Sequence, residues 1–142
     1  MRSVDVVSAL TLLASTLPVL AGDGAPSAAV VVKPLLSTGV TSAGDPIVLP
    51  QKDVQLLVST YDIPPGAALP VHKHPYPRYG YVLAGTIQVT NTETGRSDVF
   101  HTGDFILEAV DHWHKGSNVG DGPVKLLVID LVERGHANVM AQ

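Results

Sequence analysis

The sequence contains no cysteine, few aromatic residues and no run of basic residues. Phe, Trp and Tyr together make up 5% of the 142 residues. The absence of thiols excludes a disulfide scaffold, thiol redox chemistry, an iron–sulfur cluster and any zinc site built on Cys. With 9 basic and 13 acidic residues the net charge is −4. We therefore expect no nucleic-acid partner, because nothing in the chain would hold phosphates.

Aliphatic and turn-forming residues dominate what is present. Hydrophobic residues make up 45% of the chain and charged residues 15%, while Gly and Pro number 13 and 11. A disordered chain would need more charge and fewer aliphatic residues. The composition predicts one turn-rich β domain, because the length leaves no room for a second domain.

The first 21 residues have the pattern of a signal peptide. An apolar run, Val6–Leu17, follows Arg2 and is shorter than the roughly 20 residues needed to cross a membrane. The run ends near Ala21, a small residue that suits signal peptidase. We expect cleavage after Ala21, a linker over residues 22–28 and a folded domain over residues 29–142. The alternative is a first helix of that domain, but such a helix would have no polar face. Cleavage would leave a periplasmic or secreted protein with no membrane partner.

Short apolar runs separated by turn signals recur along the rest of the chain, and they predict β-strands. The predicted strands are Ala29–Leu35, Ile47–Leu49, Val54–Tyr61, Val71–His74, Tyr79–Ala84, Thr86–Thr92, Ser97–His101, Phe105–Glu108 and Pro123–Val132. The two strands that flank Glu93-Thr94-Gly95-Arg96 should form a hairpin. Nine short strands must close on themselves or stack, which predicts an all-β barrel or sandwich.

Two pairs of histidines stand out from this pattern. His72 and His74 lie two apart on a predicted strand, so both imidazoles point to one face with their Cα atoms about 6.5–7 Å apart. His112 and His114 form a second pair just after another strand. Neutral imidazole is a good ligand for Zn, Fe, Ni or Cu. The alternative is that the histidines are solvated surface residues.

The spacing around these pairs resembles the two motifs of the cupin superfamily. The first, G-x5-H-x-H-x3-E-x6-G, is matched at Gly66, His72, His74 and Gly85, and the second, G-x5-P-x-G-x2-H-x3-N, at Gly103, His114 and Asn118. The resemblance covers about residues 56–132. It implies a small cupin-type jelly-roll β-barrel that binds one divalent metal inside through His72, His74 and His114. It does not distinguish Fe, Mn, Ni, Zn and Cu.

The chain departs from the cupin pattern at three positions. Ala109 and Asp111 replace the Pro and Gly of the second motif, and Asp tolerates left-handed backbone well enough to keep the turn. Arg78 occupies the position of the glutamate ligand, and a cation cannot replace a carboxylate. Either Arg78 swings away, or a carboxylate or anionic substrate neutralises it, or the metal is lost. With no protein carboxylate, the site should be more positive than a usual cupin's and should favour anionic ligands.

Other polar side chains near the motifs have less specific interpretations. Tyr76 lies on a loop where it would serve as an acid or base, although packing is the simpler alternative. His112 is a candidate ligand or a residue behind the ligands, depending on how the chain bends after the second motif's turn. His101 and His136 are expected at the surface. Trp113 alternates away from the predicted site and is expected to pack.

Two functions compete on this sequence. The resemblance implies a small-molecule enzyme of the dioxygenase, lyase or isomerase type, in which Arg78 would hold an anionic substrate and act with Tyr76 in catalysis. The alternative is a non-catalytic module that binds a sugar or carboxylate, with a degenerate or empty metal site. A homodimer is expected, because Ala29–Leu35 is a plausible strand for exchange between copies.

Overall fold

The structure is a computed structural model that describes residues 28–142. The predicted signal peptide and all but the last residue of the predicted linker lie outside the described residues. Nine strands follow one another along the described part of the chain: β1 (Val54–Ile63), β2 (His72–Lys73), β3 (Arg78–Ala84), β4 (Thr86–Asn91), β5 (Ser97–His101), β6 (Phe105–Leu107), β7 (His114–Asn118), β8 (Val124–Glu133) and β9 (Met140–Ala141). Residues 28–142 form no helix, and so none that is long and apolar enough to cross a membrane.

The strands form two sheets, and both are antiparallel throughout. One sheet has the order β1-β8-β3-β6 and the other the order β5-β4-β7-β2-β9. The neighbours in space are mostly distant in sequence, as in a jelly roll, so the histidine-bearing β2 and β7 lie side by side although about 40 residues separate them. The predicted all-β class is confirmed.

Period-two alternation places one face of each strand in the core. Along β8 the inward side chains are Val124, Leu126, Val128 and Val132, all less than 4% exposed, with Asp130 among them. The first three of these, Val124, Leu126 and Val128, form one core cluster with Ile63, Val82, Ile87 and Ile106 from other strands. These inward aliphatic side chains form a narrow core between the sheets, and the buried carboxylate of Asp130 interrupts it.

Most predicted strands are confirmed, but two are wrong. Ala29–Leu35 and Ile47–Leu49 form no strand, and Val30 at the start of the first is 91% exposed. Neither run pairs with a strand in the structure, and β propensity without a pairing partner does not make a strand. Conversely two strands were missed, the two-residue β9, and β7, whose sequence, HKGSN, has little β propensity. The β7 segment forms a strand because β4 pairs along its full length.

Two turns of the motif segments require left-handed backbone, one at Gly85 and one at Asp111. Gly85 has φ +85°, and a Cβ built on it would lie 2.7 Å from the carbonyl oxygen of Pro123, so both conformation and space require glycine. Asp111 has φ +60°. The expectation that Asp would keep the turn of the second motif is confirmed.

Candidate metal centre

Three histidines and one glutamate meet between the two sheets. Their ligand atoms, one each from His72, His74, Glu108 and His114, all lie within 4.8 Å of one another. His74 is fully buried, and His72 and His114 are 6% and 4% exposed. The three imidazole centroids lie 4.6–4.8 Å apart. The convergence of the three predicted ligands is therefore present, together with a carboxylate that was not predicted.

The strand register explains why these residues meet. His72 and His114 are direct partners across β2 and β7, and His74 makes an isolated parallel bridge to Val110 in the loop before β7. Glu108 follows β6, and its amide donates to the carbonyl of Arg78, 3.1 Å away, at the start of β3. One ligand therefore comes from the β3–β6 sheet and three come from the other sheet.

Each imidazole is held from behind by a main-chain carbonyl. A carbonyl oxygen only accepts hydrogen bonds, so each Nδ1 carries a proton and each Nε2 faces the centre, where it offers a lone pair whenever the ring is neutral. The three bonds run from His72 to Pro70 (2.7 Å), from His74 to Asn138 (2.6 Å) and from His114 to His112 (2.8 Å).

The inward atoms form a donor set that suits a metal cation. Oε2 of Glu108 lies 2.9 Å from Nε2 of both His74 and His114, and those two nitrogens are 3.2 Å apart. Lone pairs and a carboxylate at these distances repel one another unless a proton or a metal ion lies between them. Three imidazole nitrogens and one carboxylate oxygen are the ligands that divalent transition metals take. The residues therefore fit a metal.

The titration of the centre reflects the same contacts. Burial disfavours ionised Glu108, but hydrogen bonds from His114 and His74 outweigh it and hold the pKa of Glu108 well below its usual range. Burial also opposes protonation of His114, yet the hydrogen bond to Glu108 raises its pKa. At His72 burial dominates and lowers the pKa, helped by the nearby His114 and His74. The centre thus keeps an ionised carboxylate for a cation to meet.

Arg78 is neutralised by a carboxylate of its own. Its Nε and Nη2 donate to Oδ1 and Oδ2 of Asp130 at 2.7 and 2.9 Å, and the two residues are 4% and 5% exposed. Burial opposes the charge, but the hydrogen bonds to Asp130 outweigh it and raise the pKa of Arg78. The sequence left three alternatives open for Arg78, and in the structure a carboxylate, that of Asp130, neutralises it. Arg78 is not among the converging ligands. Its role toward an anionic substrate stays a prediction.

The expectation that the site has no protein carboxylate is wrong. Glu108 supplies one from β6, whereas the cupin pattern takes it from the position of Arg78. A signal was present in the sequence, because Glu108 ends a predicted strand six residues before His114. The motif itself does not indicate Glu108, because it places the carboxylate at position 78.

The remaining candidates lie around the centre. The ring of Tyr76 packs edge-on against that of His136, with centroids 5.9 Å apart, and its proposed acid–base role stays a prediction. The side chain of His112 turns away and lies between Glu93 (2.8 Å) and Asp45 (3.1 Å). These carboxylates raise the pKa of His112. Its contribution to the centre is the carbonyl that holds His114.

Two cavities reach the centre from different sides. One, of about 320 Å³, opens beside the β4–β5 hairpin and reaches Glu108 and His114. Its wall includes Asn91, Arg96 and His112. The other, of about 150 Å³, reaches His72 and Arg78 past the C-terminal segment. A small molecule therefore has room to approach the Glu108–His114 edge.

Comparison with known proteins supports the fold and the family. The cupin domain family matches residues 59–130, which is half of the chain and contains all four converging residues. No curated protein matches the chain significantly.

Solved structures with the same fold include several enzymes. The polyketide cyclase RemF from Streptomyces resistomycificus has a TM-score of 0.52 at 21% identity, covering 61% of this chain and 59% of that one. DMSP lyase DddQ from Ruegeria pomeroyi DSS-3 has a TM-score of 0.53 at 23% identity, covering 70% and 47%. Oxalate decarboxylase from Lactobacillus farciminis has 0.52 at 22%, covering 61% and 26%. This chain therefore spans less than two thirds of each, and the likeness concerns the fold alone.

Proposed function

This chain belongs to the cupin family, and we propose that it binds one divalent transition metal through His72, His74, His114 and Glu108. One observation carries the proposal. Every Nδ1 of the three histidines donates to a main-chain carbonyl, so all three Nε2 atoms are left to face the carboxylate of Glu108. Protons on the imidazoles or a metal cation can lie between these groups, and a divalent metal satisfies all four groups together.

We further propose that the protein is an exported small-molecule enzyme of the dioxygenase, lyase or isomerase type. A bound metal would supply Lewis acidity beside the 320 Å³ cavity. The cavity wall would bind and orient a small substrate at the Glu108–His114 edge. An anionic substrate would meet Arg96 there, which is 66% exposed at its side chain and lies 3.1 Å from Asp98. Arg78 is less suited to that task, because its guanidinium is buried and is held by both carboxylate oxygens of Asp130.

Metal analysis of protein purified without a histidine tag tests the proposal. We expect about one transition-metal ion per chain, and His74→Ala should abolish stoichiometric uptake. His101→Ala is the matched control, because its side chain is 68% exposed, lies 3.7 Å from Asp104 and is not among the converging residues. Uptake should be unchanged in this variant. Wild-type protein that binds no added Zn²⁺ or Co²⁺ near stoichiometry would contradict the metal proposal.

A substrate screen separates the enzyme from the binding module. Turnover of a small metabolite that depends on the bound metal supports the enzyme. Ligand binding with no turnover, with or without metal, supports the non-catalytic alternative. The reactions of the three structural neighbours, a cyclase, a lyase and a decarboxylase, make small carbonyl and carboxylate compounds the first panel to test.

We also propose a homodimer. The exposed edge strand β1 supports it, because Leu56 and Val58 on one face of that strand are 58% and 56% exposed. Light scattering during size-exclusion chromatography should give twice the chain mass. The double variant Leu56→Lys/Val58→Lys should give a monomer, whereas a wild-type monomer would contradict the proposal.

A further inference from the structure

A single buried residue interrupts the exposed C-terminal segment. Asn138 lies between β8 and β9 and is only 4% exposed, whereas Val139 next to it is 45% exposed. The segment also lies beyond residues 59–130, which match the cupin family. Nothing in the two motifs therefore accounts for a buried amide at this place.

All three polar groups of Asn138 that face the protein are bonded. Its main-chain carbonyl accepts the hydrogen bond from Nδ1 of His74 at 2.6 Å. Its Oδ1 accepts from the amide of Tyr76 at 2.9 Å. Its Nδ2 donates to Oδ1 of Asp130 at 2.6 Å. Hydrogen bonds thus hold both the oxygen and the nitrogen of the side-chain amide, and they fix the position of the main-chain carbonyl of Asn138.

These bonds connect the metal centre to the buried ion pair. Asp130, which accepts from Asn138, also holds Arg78 through both of its oxygens. The main-chain carbonyl of Asn138 accepts the hydrogen bond from His74, and this bond fixes the tautomer and the ring orientation of the imidazole. A hydrogen-bond acceptor behind a metal-binding imidazole also makes the ring a better ligand. The other two histidines obtain this support from residues only two positions away, Pro70 and His112. The support of His74 comes from 64 positions away.

We propose that Asn138 is a positioning residue of the metal centre. Its side chain, anchored on Asp130 and on the amide of Tyr76, places its own carbonyl where it holds the imidazole of His74. The C-terminal segment is therefore part of the centre. The inference rests on the proposed metal-binding function, and the experiment below separates the failure of one from the failure of the other.

The chain offers a matched control for this residue. Asn118 is also an asparagine that is 4% exposed. Its Nδ2 donates to the carbonyls of Ile63 and Gly122, and its Oδ1 accepts from the amide of Gly120. None of these partners is a proposed ligand. Asn118→Ala should therefore cost stability as Asn138→Ala does, but it should leave the geometry of His74 unchanged.

Cobalt affinity of the two variants, measured on protein with native circular dichroism, is the main test. Asn138→Ala should weaken Co²⁺ binding about 10–100-fold, as loss of support behind a ligand typically does. It should also change the visible Co²⁺ spectrum. Asn118→Ala should stay within about threefold of wild type and keep the spectrum. Equal affinities in the two variants, or a loss of the same size in both, would overturn the proposal.

Two nuclear magnetic resonance measurements keep the test decisive. In metal-free protein, the Nδ1–H signal of His74 should be protected in wild type and in Asn118→Ala but lost in Asn138→Ala. This signal decides the positioning role even if wild type binds no metal, an outcome that would refute the proposed function alone. If the variants do not fold, the proposal can still be tested by a measurement on wild-type protein alone. Added Zn²⁺ should slow exchange of the Asn138 side-chain amide and leave that of Asn118 unchanged, and equal effects would overturn the proposal.

Discussion

Replacing Arg78 by Glu gives opposite expectations from the sequence and from the structure. By the cupin pattern alone, Arg78→Glu restores the missing ligand and tightens metal binding. In the structure the new carboxylate would lie against Asp130, which would lose its partner, with Glu108 close by. Three buried carboxylates would then share one region without a cation from the protein. We therefore expect Arg78→Glu to lower the unfolding free energy of the domain.

The expected size follows from the geometry of the pair. Arg78 and Asp130 are joined by two hydrogen bonds at 2.7 and 2.9 Å and are both about 5% exposed. Removing one partner of such a buried pair costs about 3–5 kcal/mol of unfolding free energy. That is a large part of the roughly 5–15 kcal/mol that stabilises a domain. At about 4 °C per kcal/mol for a domain of this size, the melting temperature should fall by on the order of 10–20 °C.

A double-mutant cycle measured by urea denaturation of metal-free protein tests the assignment. Arg78→Met and Asp130→Leu should each cost about 3–5 kcal/mol, because each leaves a buried charge alone. The double variant should cost far less than the sum, with a remainder of about 1–3 kcal/mol because Asn138 loses its acceptor. Additive costs, or Arg78→Glu that is as stable as wild type and binds metal more tightly, would refute the reasoning.

Other changes test the turn, the carboxylate and the N-terminus. Gly85→Ala should lower the unfolding free energy by about 1–3 kcal/mol in a denaturant titration, since its φ is +85° and the Cβ would clash. Gly122→Ala, with open space around it, is the control, and equal costs would contradict the steric argument. Calorimetry at pH 7 should show Zn²⁺ affinity at least about tenfold weaker in Glu108→Gln, and an unchanged affinity would exclude Glu108 as a ligand. The metal affinity of wild type should decrease as the pH is lowered, and the decrease should begin above pH 6.5, because the raised pKa of His114 lets protons compete with the metal there. An affinity that stays constant between pH 8 and 5 would contradict the three-histidine site. The intact mass of protein recovered from an exporting cell should be that of a chain that begins at Gly22, whereas the mass of a chain that retains Met1 would refute cleavage.

The fold was predictable because its signals are local. Alternation of apolar residues, turn residues and the two histidine motifs each act within a few positions, and they yielded the class and seven of the strands. The wrong strand Ala29–Leu35 and the missed strand β7 share one cause. Whether a segment becomes a strand depends on the segment with which it pairs in the fold, and partners such as β4 for β7 lie far away in sequence.

The site was predictable only where a motif fixed it. Strand alternation predicts that His72 and His74 share a face, the resemblance to the second cupin motif adds His114, and the structure brings the three together. The partners of Arg78 and His74 do not follow, because Asp130 lies 52 positions from the first and Asn138 lies 64 from the second. One trace of them was readable. Asp130 interrupts the inward apolar series of β8, and a buried carboxylate requires a cation or several donors.

The exchange of residues at positions 78 and 108 is best understood as a relocation of one carboxylate. Strands β3 and β6 are neighbours with Tyr79 opposite Leu107, so the positions just beyond that pair, Arg78 and Glu108, are adjacent across the sheet. A carboxylate on either one reaches the same region between the sheets. Moving it to Glu108 leaves a cation at position 78, and Asp130 cancels that cation. The three side chains together carry a charge of −1, the same as the single glutamate of the cupin pattern. The proposed metal would therefore lie near the same net charge that the motif provides, although the sequence departs from the motif at position 78.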